Sequence, residues 1–334
     1  MDLFNTLSSL CNSAGLPGQQ EILDVAESYL KEMGETTRDV NGSLVCTVGN
    51  GSHRVMLDAH IDEIGFLVTC IDGDFIRVAA CGGIDRRTVI EQEVVVYGKE
   101  ALFGVFAGLP PHLKKDEKKA PAVDDLLIDC GLQHDKLVEL VSPGDRVGFR
   151  SPLVKMANDC VTSKSLDNRA GVAAIIMAAS LVDTKAADCT LILSLSAQEE
   201  LGCRGARTVA FAQEVDEAIV VDVSFGNGPD VSERECGKIG EGAMIGVSPV
   251  LNSVATNKLI SLAKEKDIPY QLEVTGRSTG TNADVISITK SGIRTSLVSI
   301  PLRNMHTSCE VVSLKDIDSC ARLIAEYVMN GGCR

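Results

Sequence analysis

Seven residues of this 334-residue chain have types and settings suited to metal or acid–base chemistry: His60 with Asp62, Asp167, the adjacent Glu199 and Glu200, Asp222 and His306. Five are carboxylates. Gathered in one place, each pair about 4 Å apart would repel by roughly 4 kcal/mol at an effective dielectric of about 20. Such a cluster cannot stay ionised without cations. Two divalent ions would supply the missing charge, and mixed imidazole and carboxylate ligation with an open position suits catalytic zinc or a similar first-row ion. Every member also has an ordinary reading: solvated loop glutamates, hydrogen-bonded core histidines, an aspartate that only caps a helix or a turn. Repetition favours the chemical reading. The chain has five histidines, and these two sit beside acids at the ends of apolar runs. His53, His112 and His134 lack that setting and are expected at the surface.

The elements that must position these residues follow from periodicity. Thr190 to Ser196 is a nearly continuous apolar run of strand length, as in a strand buried on both faces, so Glu199 and Glu200 fall at its C-terminal mouth, where ligands bind in open α/β sheets. The segment from Phe4 to Met33 has helical spacing interrupted by a turn at Gly15 to Gly18, and strands are expected over Leu44 to Val48 and Arg54 to Leu57, the second leading into His60 and Asp62. From Phe66 to Asp159 many short strand-like runs with turn signals and almost no helical periodicity indicate a separate β-rich domain. Its mixed-charge stretch, His112 to Lys119, reads as a solvated loop. The helical pattern returns after Asp167 with the apolar run Gly171 to Val182. Helix and strand then alternate to a closing helix over Asp316 to Met329, with Asp222 ending a strand from Glu217. This implies an α/β sheet with helices on both faces.

Composition narrows the function further. A net charge of −14 without a basic cluster argues against a nucleic-acid partner. The longest apolar stretch is short of a bilayer span, so no membrane role is expected. Twelve scattered cysteines without a CxxC pair fit neither a zinc finger nor a disulfide framework. With no charged-then-apolar N-terminal signal, a reducing cytoplasmic location is expected.

The order of the motifs carries a resemblance. His60-Ile61-Asp62-Glu63-Ile64-Gly65, Leu166-Asp167-Asn168-Arg169, Gln198-Glu199-Glu200-Leu201-Gly202, Val221-Asp222-Val223 and Ile300 to Ser308 around His306 resemble the cocatalytic metallo-aminopeptidases of metallopeptidase family 42, called glutamyl or tetrahedral (TET) aminopeptidases. The resemblance spans nearly the whole chain. It implies a mixed-sheet α/β catalytic domain from residues 1–65 and 160–334, with the β-rich residues 66–159 inserted for oligomerisation or substrate access. It also implies two divalent ions, Zn2+ or Co2+, with Asp167 bridging them, His60 and Asp222 completing one site, and Glu200 and His306 the other. Glu199 would be the general base and Asp62 the acid that holds the His60 imidazole. The implied reaction is removal of N-terminal residues from short peptides by a homo-oligomer, in the family often a dodecamer.

Two positions depart from the family pattern. Asn282 stands where an acid is usual in Gly280-Thr281-Asn282-Ala283, and Asn304 replaces a common tyrosine. Both bear on specificity more than on the reaction. A dipeptidase or N-acyl amino acid deacylase on the same dinuclear centre is the nearest alternative. A two-carboxylate glycosidase fits less well, because consecutive glutamates on an extended strand would face opposite sides and the chain has no tryptophan for sugar stacking.

Overall fold

The computed structural model describes residues 2–108, 112, 121–229 and 231–333. Apart from His112, the charged loop expected over 112–119 lies outside the described residues. Two helices open the chain, α1 (Leu3–Asn12), whose first turn is capped by the Asp2 side chain, and α2 (Glu21–Leu30). Strands β1 (Glu35–Arg38), β2 (Leu44–Gly49) and β3 (His53–His60) follow. The chain then builds β4 (Gly65–Asp72), β5 (Phe75–Cys81), β6 (Glu93–Tyr97), β7 (Ala101–Phe106) and β8 (Leu127–Asp129), crosses a short helix α3 (His134–Leu140) and adds β9 (Arg146–Phe149). These six strands close into a barrel in the order β4-β5-β8-β7-β6-β9. Closure leaves no free strand edge. Inside, Phe66 meets Phe106 and Phe149 edge to face at centroid distances of 4.8 and 5.3 Å.

After Phe149 the chain has left the barrel. β10 (Val154–Lys155) pairs with β11 (Cys160–Ser163), and β11 pairs with a strand from near the end of the chain. The remaining elements are α4 (Leu166–Leu181), β12 (Cys189–Ser196), α5 (Arg204–Ala212), β13 (Glu217–Phe225), β14 (Ala243–Val247), α6 (Ser253–Glu265), β15 (Tyr270–Val274), α7 (Ala283–Ile286), β16 (Arg294–Leu302), β17 (Glu310–Ser313) and α8 (Leu314–Met329). α6 begins at Ser253, because the Asn252 side chain accepts the Val254 and Ala255 N–H groups and caps it.

Eight strands form one mixed sheet in the order β1-β2-β12-β3-β13-β16-β14-β15. Its centre, β12-β3-β13-β16, is parallel, so four strands end on the same edge. One face is covered by α1, α2, α4, α6 and α8 over the largest core, which includes Leu57, Leu193, Val221 and Ile324. α4 is buried on nearly every side, which explains why its apolar run shows no polar stripe. The other face carries α5 and α7 over a smaller core of Met56, Ile192, Val209 and Ile286. Among the described residues no helix is long and apolar enough to cross a membrane.

Candidate metal centre

The shared edge of the parallel strands is where the seven residues meet. β3 delivers His60, in register with Ser196 at the end of β12, and β13 delivers Asp222, which does not end its strand as expected, because pairing with β16 carries β13 on to Phe225. Beyond Ser196 the chain turns, so Glu199 and Glu200 lie outside the strand and its alternation does not apply to them. Both reach the same side. Asp167 and Asn168 precede the regular part of α4 with non-helical backbone, and His306 lies between β16 and β17. Ser165, Gln198, Cys203, Asn304 and His306 all have positive φ. Such conformations cost free energy and persist where the surrounding contacts hold them.

Three donor groups have their ligand atoms within 4.8 Å of one another: His60 with Asp167 and Asp222, Asp167 with Glu200 and His306, and His60 with Glu199 and Glu200. Asp167 is common to the first two. Its Oδ1 is 2.9 Å from His60 Nε2 and its Oδ2 is 3.4 Å from His306 Nε2, so its two oxygens face different histidines. His60 Nε2 is 3.7 Å from Asp222 Oδ1, and His306 Nε2 is 3.5 Å from Glu200 Oε1. Asp62 sits behind this layer. Its carboxylate accepts the backbone N–H groups of Glu199 and Glu200 at 3.0 and 3.2 Å, and lies 3.6 Å from His60 Nδ1, which is closer to the Asp62 carbonyl at 3.3 Å. Asp62 therefore grips the Glu-Glu turn more tightly than the imidazole.

The protonation equilibria expose the crowding. Burial, followed by the charge of Asp167, pushes the Glu200 carboxyl up to about 8. Burial also raises Glu199, and raises Asp222 well above the carboxylate range. Burial acts the same way on Asp167, but hydrogen bonds from His306 and His60 outweigh it and hold that carboxyl low. The hydrogen bond to Asp167 lifts His306 to about 9. Burial alone would lower His60, yet the hydrogen bond to Asp167 leads the effects that raise it instead. The centre thus draws positive charge to itself. Nitrogen and carboxylate donors in two groups sharing one carboxylate fit a pair of divalent cations of the zinc type.

Several further residues support the seven without belonging to them. Glu310, 1% exposed on β17, accepts the backbone N–H of Asp167 and that of His306, each at 2.9 Å, and so ties together two segments far apart in sequence. An acid inside the apolar Glu310-Val311-Val312 strand is the one hint of it. Asn168 Nδ2 donates to the Val221 carbonyl beside Asp222. Glu63 pairs with the buried Lys164 at 2.5 Å and takes the Gly15 N–H, anchoring the loop after β3. Arg169 is fully buried against Gly15 with no hydrogen-bond partner for its guanidinium among the described residues. Asn282 Nδ2 donates to Asp58 Oδ1 and Ser196 Oγ, each at 2.8 Å, beneath His60. An amide there avoids a second carboxylate against the fully buried Asp58. His53 departs from expectation: its side chain is 10% exposed and bonded to Glu217. Its distance from the other candidate residues hid that partner. His112 and His134 are exposed.

Known proteins share this architecture. The chain is 30% identical to the lysyl aminopeptidase of Pyrococcus furiosus, over 95% of this chain and 94% of that one. The aminopeptidase APDkam598 from the archaeon Desulfurococcus kamchatkensis superposes with a TM-score of 0.91 at 28% identity, covering 98% of this chain and 94% of that one. The Pyrococcus horikoshii TET1 peptidase, described as able to assemble into a tetrahedron or a large octahedral shell, gives 0.86 at 28% identity, covering 98% of this chain and 99% of that one. The family model for M42 glutamyl aminopeptidase matches residues 42–323. The chain belongs to the M42 aminopeptidase family and is a peptide-hydrolysing enzyme.

Proposed function

We propose that the protein is a metal-dependent aminopeptidase that removes N-terminal residues from short peptides. The observation that carries this reading is the placing of the two Asp167 oxygens against two different histidines. Asp167 with His60 and Asp222 would hold one divalent ion, and Asp167 with Glu200 and His306 the other, Zn2+ or Co2+ by donor chemistry. Such ions would acidify an attacking water and polarise the scissile carbonyl. Glu199, half-buried and raised above its ordinary value, takes the proton and returns it to the leaving amine. Glu200 would be taken up by a metal. Asp62 fixes the Glu199 and Glu200 backbone so that the two adjacent acids keep separate tasks.

By the same reading, residues 66–159 form the inserted domain that serves oligomerisation or substrate access, and the protein is a cytoplasmic homo-oligomer. The six-stranded barrel within that stretch and the assemblies named for the TET1 peptidase support this. The test is a screen of N-terminal aminoacyl reporters and their N-acetylated forms, after chelation and after metal add-back. Cleavage of the free-amine forms alone, lost on chelation and restored by Zn2+ or Co2+, is expected. Preference for the acetylated forms would move the assignment to a deacylase.

A further inference from the structure

The second face of the large sheet is incompletely covered. α5 and α7 pack over its middle strands, but over β16, β14 and β15 it floors a groove of about 920 Å³ lined by Leu251, Leu297 and the half-exposed Phe225. Glu273 also lines it, from β15. Its register partner on β14 is Gly246, which has no side chain to obstruct it. Glu273 thus reaches across to accept the Ser224 hydroxyl at 2.5 Å and the Ser299 hydroxyl at 2.6 Å. Those two serines flank Asp222: Ser299 is its register partner on β16, and Ser224 lies two residues further along β13 on the same face. A carboxylate pinned by two hydroxyls therefore stands between the groove and the candidate metal ligands. It retains acceptor capacity, since a carboxylate offers about four lone-pair positions.

We propose that the groove receives the side chain of the substrate's N-terminal residue and that Glu273 selects a cationic one, lysine or arginine; this rests on the aminopeptidase reading above. The aliphatic stem of such a residue matches the apolar wall, and its tip completes a charge-assisted hydrogen bond with Glu273. Arg234 and Arg277 also line the groove, exposed and without an acidic partner among the described residues. Water and salt screen their charge. An acidic N-terminal residue held by these arginines is the competing outcome.

The experiment measures kcat/KM of the metal-loaded enzyme on lysyl, arginyl, norleucyl and glutamyl reporters. Norleucine has a similar unbranched stem without the charge. Lysyl over norleucyl preference of at least about 10-fold is expected, the factor for one hydrogen bond to a charged group. In Glu273→Gln that ratio should collapse through KM. A wild-type preference for norleucyl or glutamyl reporters overturns the proposal, as does a Glu273→Gln enzyme whose kcat falls equally on every reporter, which would make Glu273 only a support for Asp222. If the variant does not fold, lysinamide and norleucinamide are compared as inhibitors of the wild type, and equal inhibition overturns the proposal. If the wild type cleaves no reporter, the aminopeptidase reading fails; calorimetry with the same two amides then decides the groove, tighter lysinamide binding supporting it and equal binding overturning it.

Discussion

Strands β3 and β13 carry a histidine and an acid at both of their ends, and the two ends behave differently. At the N-terminal ends, His53 Nε2 lies 2.6 Å from Glu217 Oε1, and Glu217 also accepts the Tyr327 hydroxyl at 2.7 Å and the Cys333 N–H at 3.1 Å. One carboxylate there meets three donors. Towards the C-terminal ends, His60 and Asp222 face a second acid, Asp167, with Glu199 and Glu200 alongside. Acids outnumber the available donors. The same residue types on the same two strands thus give a closed structural pair at one end and a cation-seeking centre at the other, and what separates them is charge balance.

That contrast can be broken most severely by Asp167→Ala. It removes the carboxylate both histidines face, and elemental analysis should find both ions lost and turnover at background; two ions retained would end the bridging assignment. Glu199→Gln separates binding from proton transfer. A fall of about 100-fold or more in kcat is expected with metal content intact, and a near-normal rate would reassign the base. At the quiet end, Glu217→Gln turns one acceptor into a donor, and should cost about 1–3 kcal/mol in denaturant unfolding without altering metal content. A loss of metal there would mean the two ends are coupled.

The smallest effect is in pH. In metal-free protein, Glu200 is raised from 4.5 to about 8 and His306 from 6.5 to about 9. The folded state then holds more protons than the unfolded chain between about pH 4.5 and 9, so stability falls as pH rises through that window. Melting curves of the chelated protein should show that decline, and bound metal should abolish it while releasing protons on uptake. A flat profile without metal would mean that Glu200 and His306 titrate in the folded protein as they do unfolded.

The centre was unusually legible because its residues are polar where apolar runs of strand or helix begin or break off. Asp222 after Ile219-Val220-Val221 and Glu199-Glu200 after β12 are local anomalies that need no partner to be noticed. Glu310, His53 and Glu273 are the reverse cases. Each looks like an ordinary strand residue, and each matters through a contact whose sequence separation is 143, 164 and 49 residues respectively. Short elements were hidden for a related reason. β14, β17 and α7 are four or five residues long, too short for periodicity to speak, and β17 is a strand through its pairing with β11. Strand alternation does not govern Glu199 and Glu200, because β12 ends at Ser196 and the chain has already turned.

Glu310 has a further consequence for how the two halves of the centre move. One buried carboxylate accepts the backbone N–H groups of both Asp167 and His306, and it stands on β17, which is itself paired with β11. A displacement of either loop is therefore passed to the other through a single side chain. The spacing between the two segments is set by a small sheet rather than by the loops that carry them.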